Sequence, residues 1–145
     1  MKITDYISKQ EVQRICQEQG IRDWSQMTEA LVTMGKARII QQAEGGEAKQ
    51  ISSLEFLKGL EGELEHGTQF PDANVTNNHP LLTGMIVLAH LKEMLDYYQR
   101  LEVAELEGDI MKAFQSGNRD TLFNKYKLLI TARAKLVGEE TSLLD

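Results

Sequence analysis

A chain of 145 residues with 41% hydrophobic and 26% charged residues is long enough for one domain with its own core, without disulfide or zinc staples. Its net charge of −6, from 22 acidic and 16 basic residues, argues against a nucleic-acid partner, because binding phosphates takes a concentrated basic face. No stretch approaches the roughly 20 apolar residues of a membrane span, and a lone cysteine fits a reducing, cytoplasmic setting.

The opening "MKITDYISKQ" has no apolar run of signal-peptide length. Ser8-Lys-Gln-Glu11 has capping-box spacing, in which serine and glutamate satisfy each other's free backbone N–H groups. The helix it starts carries Val12, Ile15 and Cys16 on one face and stops at Gly20. Cys16 in that register is a small core residue, not a nucleophile. A second helix is expected over Trp24–Ala43, with Trp24, Met27, Leu31 and Met34 inward. "AEGGEAKQISS" (43–53) holds two adjacent glycines and little to bury, so it reads as an exposed connection.

Ser52-Ser-Leu-Glu55 repeats the capping-box spacing and opens a helix with Phe56, Leu57, Leu60 and Leu64 inward. That helix should end at His66-Gly67, the glycine taking the left-handed position past the helix end. "TQFPDANVTNNHP" (68–80) is polar and holds both prolines of the chain, Pro71 and Pro80. At this length a loop tends to be functional. Pro80 suits the first turn of the next helix, capped by Asn78 or His79. "LLTGMIVLAHLKEML" is apolar nearly all round in its first turns, which makes it the central buried helix. The chain continues from Asp96 with Leu106, Ile110, Met111 and Phe114 on one side, and turns at "SGN" (116–118). Asp120 is then expected to cap a last helix with Leu122, Tyr126, Leu129, Ile130 and Val137 inward, followed by a frayed tail. The fold class expected is all-α, a small bundle of about six helices in a single domain. Its parts are N-terminal helices over 1–45, a linker over 46–52, a helical hairpin with the next helix over 53–115, and a C-terminal helix over 119–138.

Two histidines stand three residues from a glutamate. Glu63-x-x-His66 and His90-x-x-Glu93 are mirror-image pairs whose spacing lets a carboxylate and an imidazole on adjacent turns reach one ion, as in di-iron bundles. Two imidazoles and two carboxylates suit Fe, Mn or Zn better than Ca or Mg. The plainer reading is a pair of charged helix ends. At 100° per residue, His66 lies well off the Phe56–Leu60–Leu64 stripe, and a histidine in a last turn is favoured by the helix dipole alone. Against that, His90 and Glu93 begin where the buried face through Leu82, Ile86 and Ala89 ends, a boundary that suits a partly buried polar cluster. No phosphate-loop or dinucleotide motif occurs.

The stretch Glu55–Leu101, with "GLEGELEHG", "NVTNNHPLLTG" and "AHLKEMLDYYQRL", resembles an uncharacterised family of small bacterial and phage proteins, a domain of unknown function. The resemblance places Glu63, Glu65, His66, Thr76, Asn77, Pro80, Thr83, His90, Glu93, Asp96, Tyr97 and Tyr98 at that pattern's polar and aromatic positions. It implies a helical architecture and a shared site, with no assigned reaction. This chain departs from the pattern at Asn78 and His79, where the family carries acids, and at Leu95, where it favours proline. The second departure implies a helix unbroken through Asp96. "GIRDW" (20–24) is similar to the start of such proteins, with 30–50 as an insertion and the helices after 102 as an extension.

The expected function is protein–protein contact by a small acidic helical protein, acting alone or as a homodimer. Its contact surface is the 68–80 loop with flanking helix ends: Thr76, Asn77, Asn78, His79 and Tyr97. The alternatives are a storage or redox protein holding a transition metal at Glu63, His66, His90 and Glu93, and a small hydrolase using His90 as base with Glu93 orienting it.

Overall fold

The computed structural model describes residues 7–144, which form six α-helices and no strand. The opening residues read above as lacking a signal segment lie largely outside this range. No helix among the described residues is long and apolar enough to cross a membrane. The chain divides into two compact units, Met1–Glu93 and Met94–Asp145.

In the first unit α1 (Lys9–Glu18) starts as expected, with Ser8 Oγ accepting from the Glu11 N–H at 3.2 Å. The Glu11 carboxylate turns to Arg14 at 2.5 Å. The second helix differs from expectation. Trp24 opens only a single 3-10 turn, Trp24–Gln26, capped by Asp23 Oδ1 accepting from the Ser25 N–H at 2.9 Å. The chain then runs without helix to Thr33, and α2 spans Met34–Glu44. Side chains take the place of helix bonds here: Glu61 Oε1 accepts from the Val32 N–H (3.0 Å), and the Arg22 guanidinium donates to the Leu31 carbonyl (2.7 Å). Leu31, expected inward, is exposed.

The 43–53 connection is not loose either. It holds a 3-10 turn, Gly46–Gln50, with Ala48 fully buried. Buried Gln41 clamps it, donating from Nε2 to the carbonyls of Ala48 and Ile51, both at 2.8 Å, and accepting from Ser53 Oγ at 2.7 Å. α3 (Ser53–Gln69) is capped by Ser52 and runs three residues past His66. Its face of Phe56, Leu60 and Leu64 meets Ile40 of α2 and Val87 and Leu91 of α4 (Pro80–Glu93) in a core that excludes water. Trp24, Val12 and Cys16 are enclosed as well.

In the second unit α5 (Tyr97–Gln115) and α6 (Arg119–Ser142) pack on each other. The helix does not run through Asp96. A turn with the Tyr97 N–H donating to the Met94 carbonyl at 3.1 Å precedes α5, and Asp96 Oδ2 takes the Arg100 guanidinium at 2.6 Å. Gly117 makes the expected turn at φ +69°. The cap of α6 is Asn118, whose Oδ1 accepts from the Thr121 N–H at 3.1 Å, where Asp120 was expected. α6 also continues to Ser142, through most of the tail expected to fray. Leu106, Leu129 and Ala132 are buried between the helices, but Met111, Phe114, Tyr126, Ile130 and Val137, all expected inward, are exposed.

Candidate functional site

The end of α3 and the start of α4 are joined by residues 70–79, beginning with a 3-10 turn at Pro71–Ala73. Three asparagines hold this loop. Asn74 Oδ1 accepts from the Asn78 N–H (3.3 Å), while its Nδ2 donates to Asn78 Oδ1 (2.9 Å) and the Gly67 carbonyl (3.3 Å). Asn77 and Asn78 have φ of +49° and +61°, a left-handed conformation that asparagine tolerates better than most residues. Each sends its side-chain amide to a distant backbone carbonyl: Asn77 to Ile7 at 2.7 Å, and Asn78 to Trp24 at 3.3 Å. The loop is thereby tied to the N-terminal segment as well as to α3.

Gly67 has a different task from the one its sequence suggests. It lies inside α3, and a Cβ there would sit 2.2 Å from Asn78 Oδ1 and 2.8 Å from Asn74 Nδ2. The glycine admits the asparagine pair rather than ending the helix. His79 caps α4, its Nδ1 accepting from the Leu82 N–H at 3.3 Å, with Pro80 in the first helical position. Burial pushes the His79 imidazole below its ordinary pKa, against the upward pull of Glu11. A neutral ring suits the cap, since a protonated Nδ1 could not accept.

Beside this loop lies a cleft of about 240 Å³, lined by Glu63, His66, Phe70, Val75, Thr83 and Ile86 among others. Glu63 and His66 therefore share one cleft. His90 stands on its Glu63 side, with Nε2 3.4 Å from Glu63 Oε1. Glu93 is exposed at the last residue of α4. Among the described residues no three His, Cys, Asp or Glu side chains are grouped so as to hold a metal ion.

Of the expected contact residues, Thr76 and Asn78 line the cleft. Asn78 and His79 are buried and Asn77 is spent on Ile7, so these three build the loop. Tyr97 belongs to the second unit, where its ring meets Tyr98 edge to face at 5.1 Å. Phe70 and Val75, 54% and 83% exposed on the cleft wall, were passed over. Their signal was two large apolar residues inside an otherwise polar loop.

Fold and site define an all-helical protein with a small cleft of mixed polarity beside a pinned loop. The chain belongs to a family of proteins of unknown function, DUF5661, which it matches over residues 12–107. That match ends within α5, so α6 lies beyond it. Neither a curated protein nor a solved structure matches the chain.

Proposed function

We propose that this is a small helical binding protein, which takes a side chain or two of a protein partner into the cleft between α3, α4 and the 70–79 loop. The observation that carries the reading is the display of Phe70 and Val75, largely exposed, on a loop whose backbone is fixed by the asparagine bonds. Apolar groups held in place beforehand bind with less ordering cost than mobile ones. The cleft, about 240 Å³, has room for one or two side chains of a partner segment. Glu63, His66 and Thr83 supply polar groups within it that select orientation.

The test is recovery of partners from an extract by the wild type and by a Phe70→Ser, Val75→Ser variant, followed by titration of the purified partner with both. A partner that binds the wild type and is lost by the variant upholds the reading. Equal recovery and equal affinity overturn it.

A further inference from the structure

The second unit carries an apolar surface that its own two helices leave largely exposed, with the Lys127 ammonium over the Phe123 ring at 4.5 Å. Around α6, Phe123, Tyr126, Ile130 and Val137 fall within a sector of about 60°, roughly 120° from the buried Leu129 and Ala132. They are 59%, 51%, 48% and 57% exposed. Their spacing of three, four and seven residues is that of a helix-packing seam. On α5, Met111 and Phe114 are one turn apart and also exposed. The Glu107–Arg133 ion pair, 2.5 Å across the hairpin, puts these two sets on one side. Glu107 is one turn before Met111, and Arg133 borders the sector, about 20° outside it on the side of Leu129. The Lys125–Asp109 pair at 2.7 Å closes the opposite edge.

We infer that this face of the α5–α6 hairpin pairs with the same face of a second copy, making an antiparallel four-helix bundle. Its six large side chains present roughly 600–700 Å² per copy, given about 150–250 Å² for a full aromatic. A stable interface takes about 800 Å² from each partner, which the surrounding polar rim completes, and a patch of this size marks an interaction site. Charge selects the second copy and its orientation. α5 has four acidic and two basic residues, while α6 has five basic and three acidic. A two-fold axis along the helices sets α5 of one copy against α6 of the other, with all neighbours antiparallel, the up-and-down arrangement of four-helix bundles. Beyond the pairs each hairpin closes within itself, Glu107–Arg133 and Asp109–Lys125, helices of opposite net charge then meet. Tyr126 faces Met111 of the second copy, and Phe123 faces its Phe114. The perpendicular axis would stack α5 on α5 and α6 on α6, like charge on like.

The experiment is sedimentation and light scattering of the full chain. The expected mass is twice the 16.4 kDa of one chain, with an unfolding temperature that rises with protein concentration. Ile130→Glu places a charge in the seam but outside the hairpin's own core. It should raise the dissociation constant at least about 100-fold and leave the helical circular dichroism intact. If that variant loses helix, the uncharged pair Met111→Gln, Phe123→Gln replaces it. Carbodiimide cross-linking of mixed labelled and unlabelled wild type needs no variant, and should join α6 lysines to α5 carboxylates between copies. A wild type still monomeric at about 100 µM, above the range of interfaces this large, overturns the inference. So does a dimer that survives both substitutions, or one whose intermolecular links fall only within Met1–Glu93.

Discussion

In the unit Met1–Glu93 the large side chains Trp24, Ile40, Phe56 and Leu60 are fully enclosed, while in Met94–Asp145 Phe114, Phe123 and Tyr126 are more than half exposed. The reason is the number of elements that can be brought to bear. α2, α3 and α4 each touch the other two, so the stripe each turns inward is covered by two neighbours, although Met85 and Ile86 of α4, the helix expected to be buried nearly all round, are exposed. α5 and α6 share one seam, and Met111, Phe114, Phe123 and Tyr126 lie off it and face water. The core of the first unit is therefore the more completely enclosed, and the hairpin of the second shows more of its apolar surface.

The largest effect that sharpens this contrast is truncation inside each core. Phe56→Ala should cost about 3–5 kcal/mol, and Leu129→Ala about 2–3 kcal/mol because its site borders solvent and relaxes more easily. Urea unfolding with hydrogen exchange read separately in each unit checks it. Equal losses would mean the hairpin is as tightly closed as its neighbour. Next comes Gly67→Ala. The new methyl meets the buried, hydrogen-bonded Asn78, so stability should fall by about 1–3 kcal/mol, with faster amide exchange over 74–79. Unchanged exchange there would show that the loop does not depend on the close approach.

The opposite sign is expected at Gly138, a helical glycine of α6 with open space around it. Gly138→Ala should stabilise by about 0.5–1 kcal/mol, read as a higher urea midpoint. A loss would place something against that position. The smallest effect is with pH. Burial holds the folded pKa of His79 below its unfolded value, so below about pH 6.5 the unfolded chain takes up a proton that the folded chain refuses. Stability of the first unit should therefore fall as pH drops through that value and level off below the folded pKa. His79→Gln should flatten this slope, and an unaltered slope would move its origin to another group.

How far the sequence could be read depended on whether a feature was local. Ser8, Ser52 and Pro80 signal helix starts through contacts with their own first turns, and all three helices begin there. The face of Phe56, Leu60 and Leu64 follows from a 3.6-residue period and is buried as expected. Trp24–Ala43 failed because a plausible periodicity was outweighed by partners far along the chain, Glu61 above all. The 43–53 connection failed for the same reason, since its order comes from Gln41 on the preceding helix. At the candidate site the approach of Glu63 to His90 was one of several open pairings, and only packing of α3 on α4 chose it.

Sequence alone settled the all-helical class, the starts of α1, α3 and α4 and the apolar face of α3, because capping and periodicity act within one or two turns. Tertiary structure decided which asparagines hold the 70–79 loop, why Gly67 must lack a side chain, and which apolar residues of α5 and α6 stay exposed. Those depend on groups tens of residues apart meeting within hydrogen-bond or van der Waals reach, and a linear pattern carries no record of such distances.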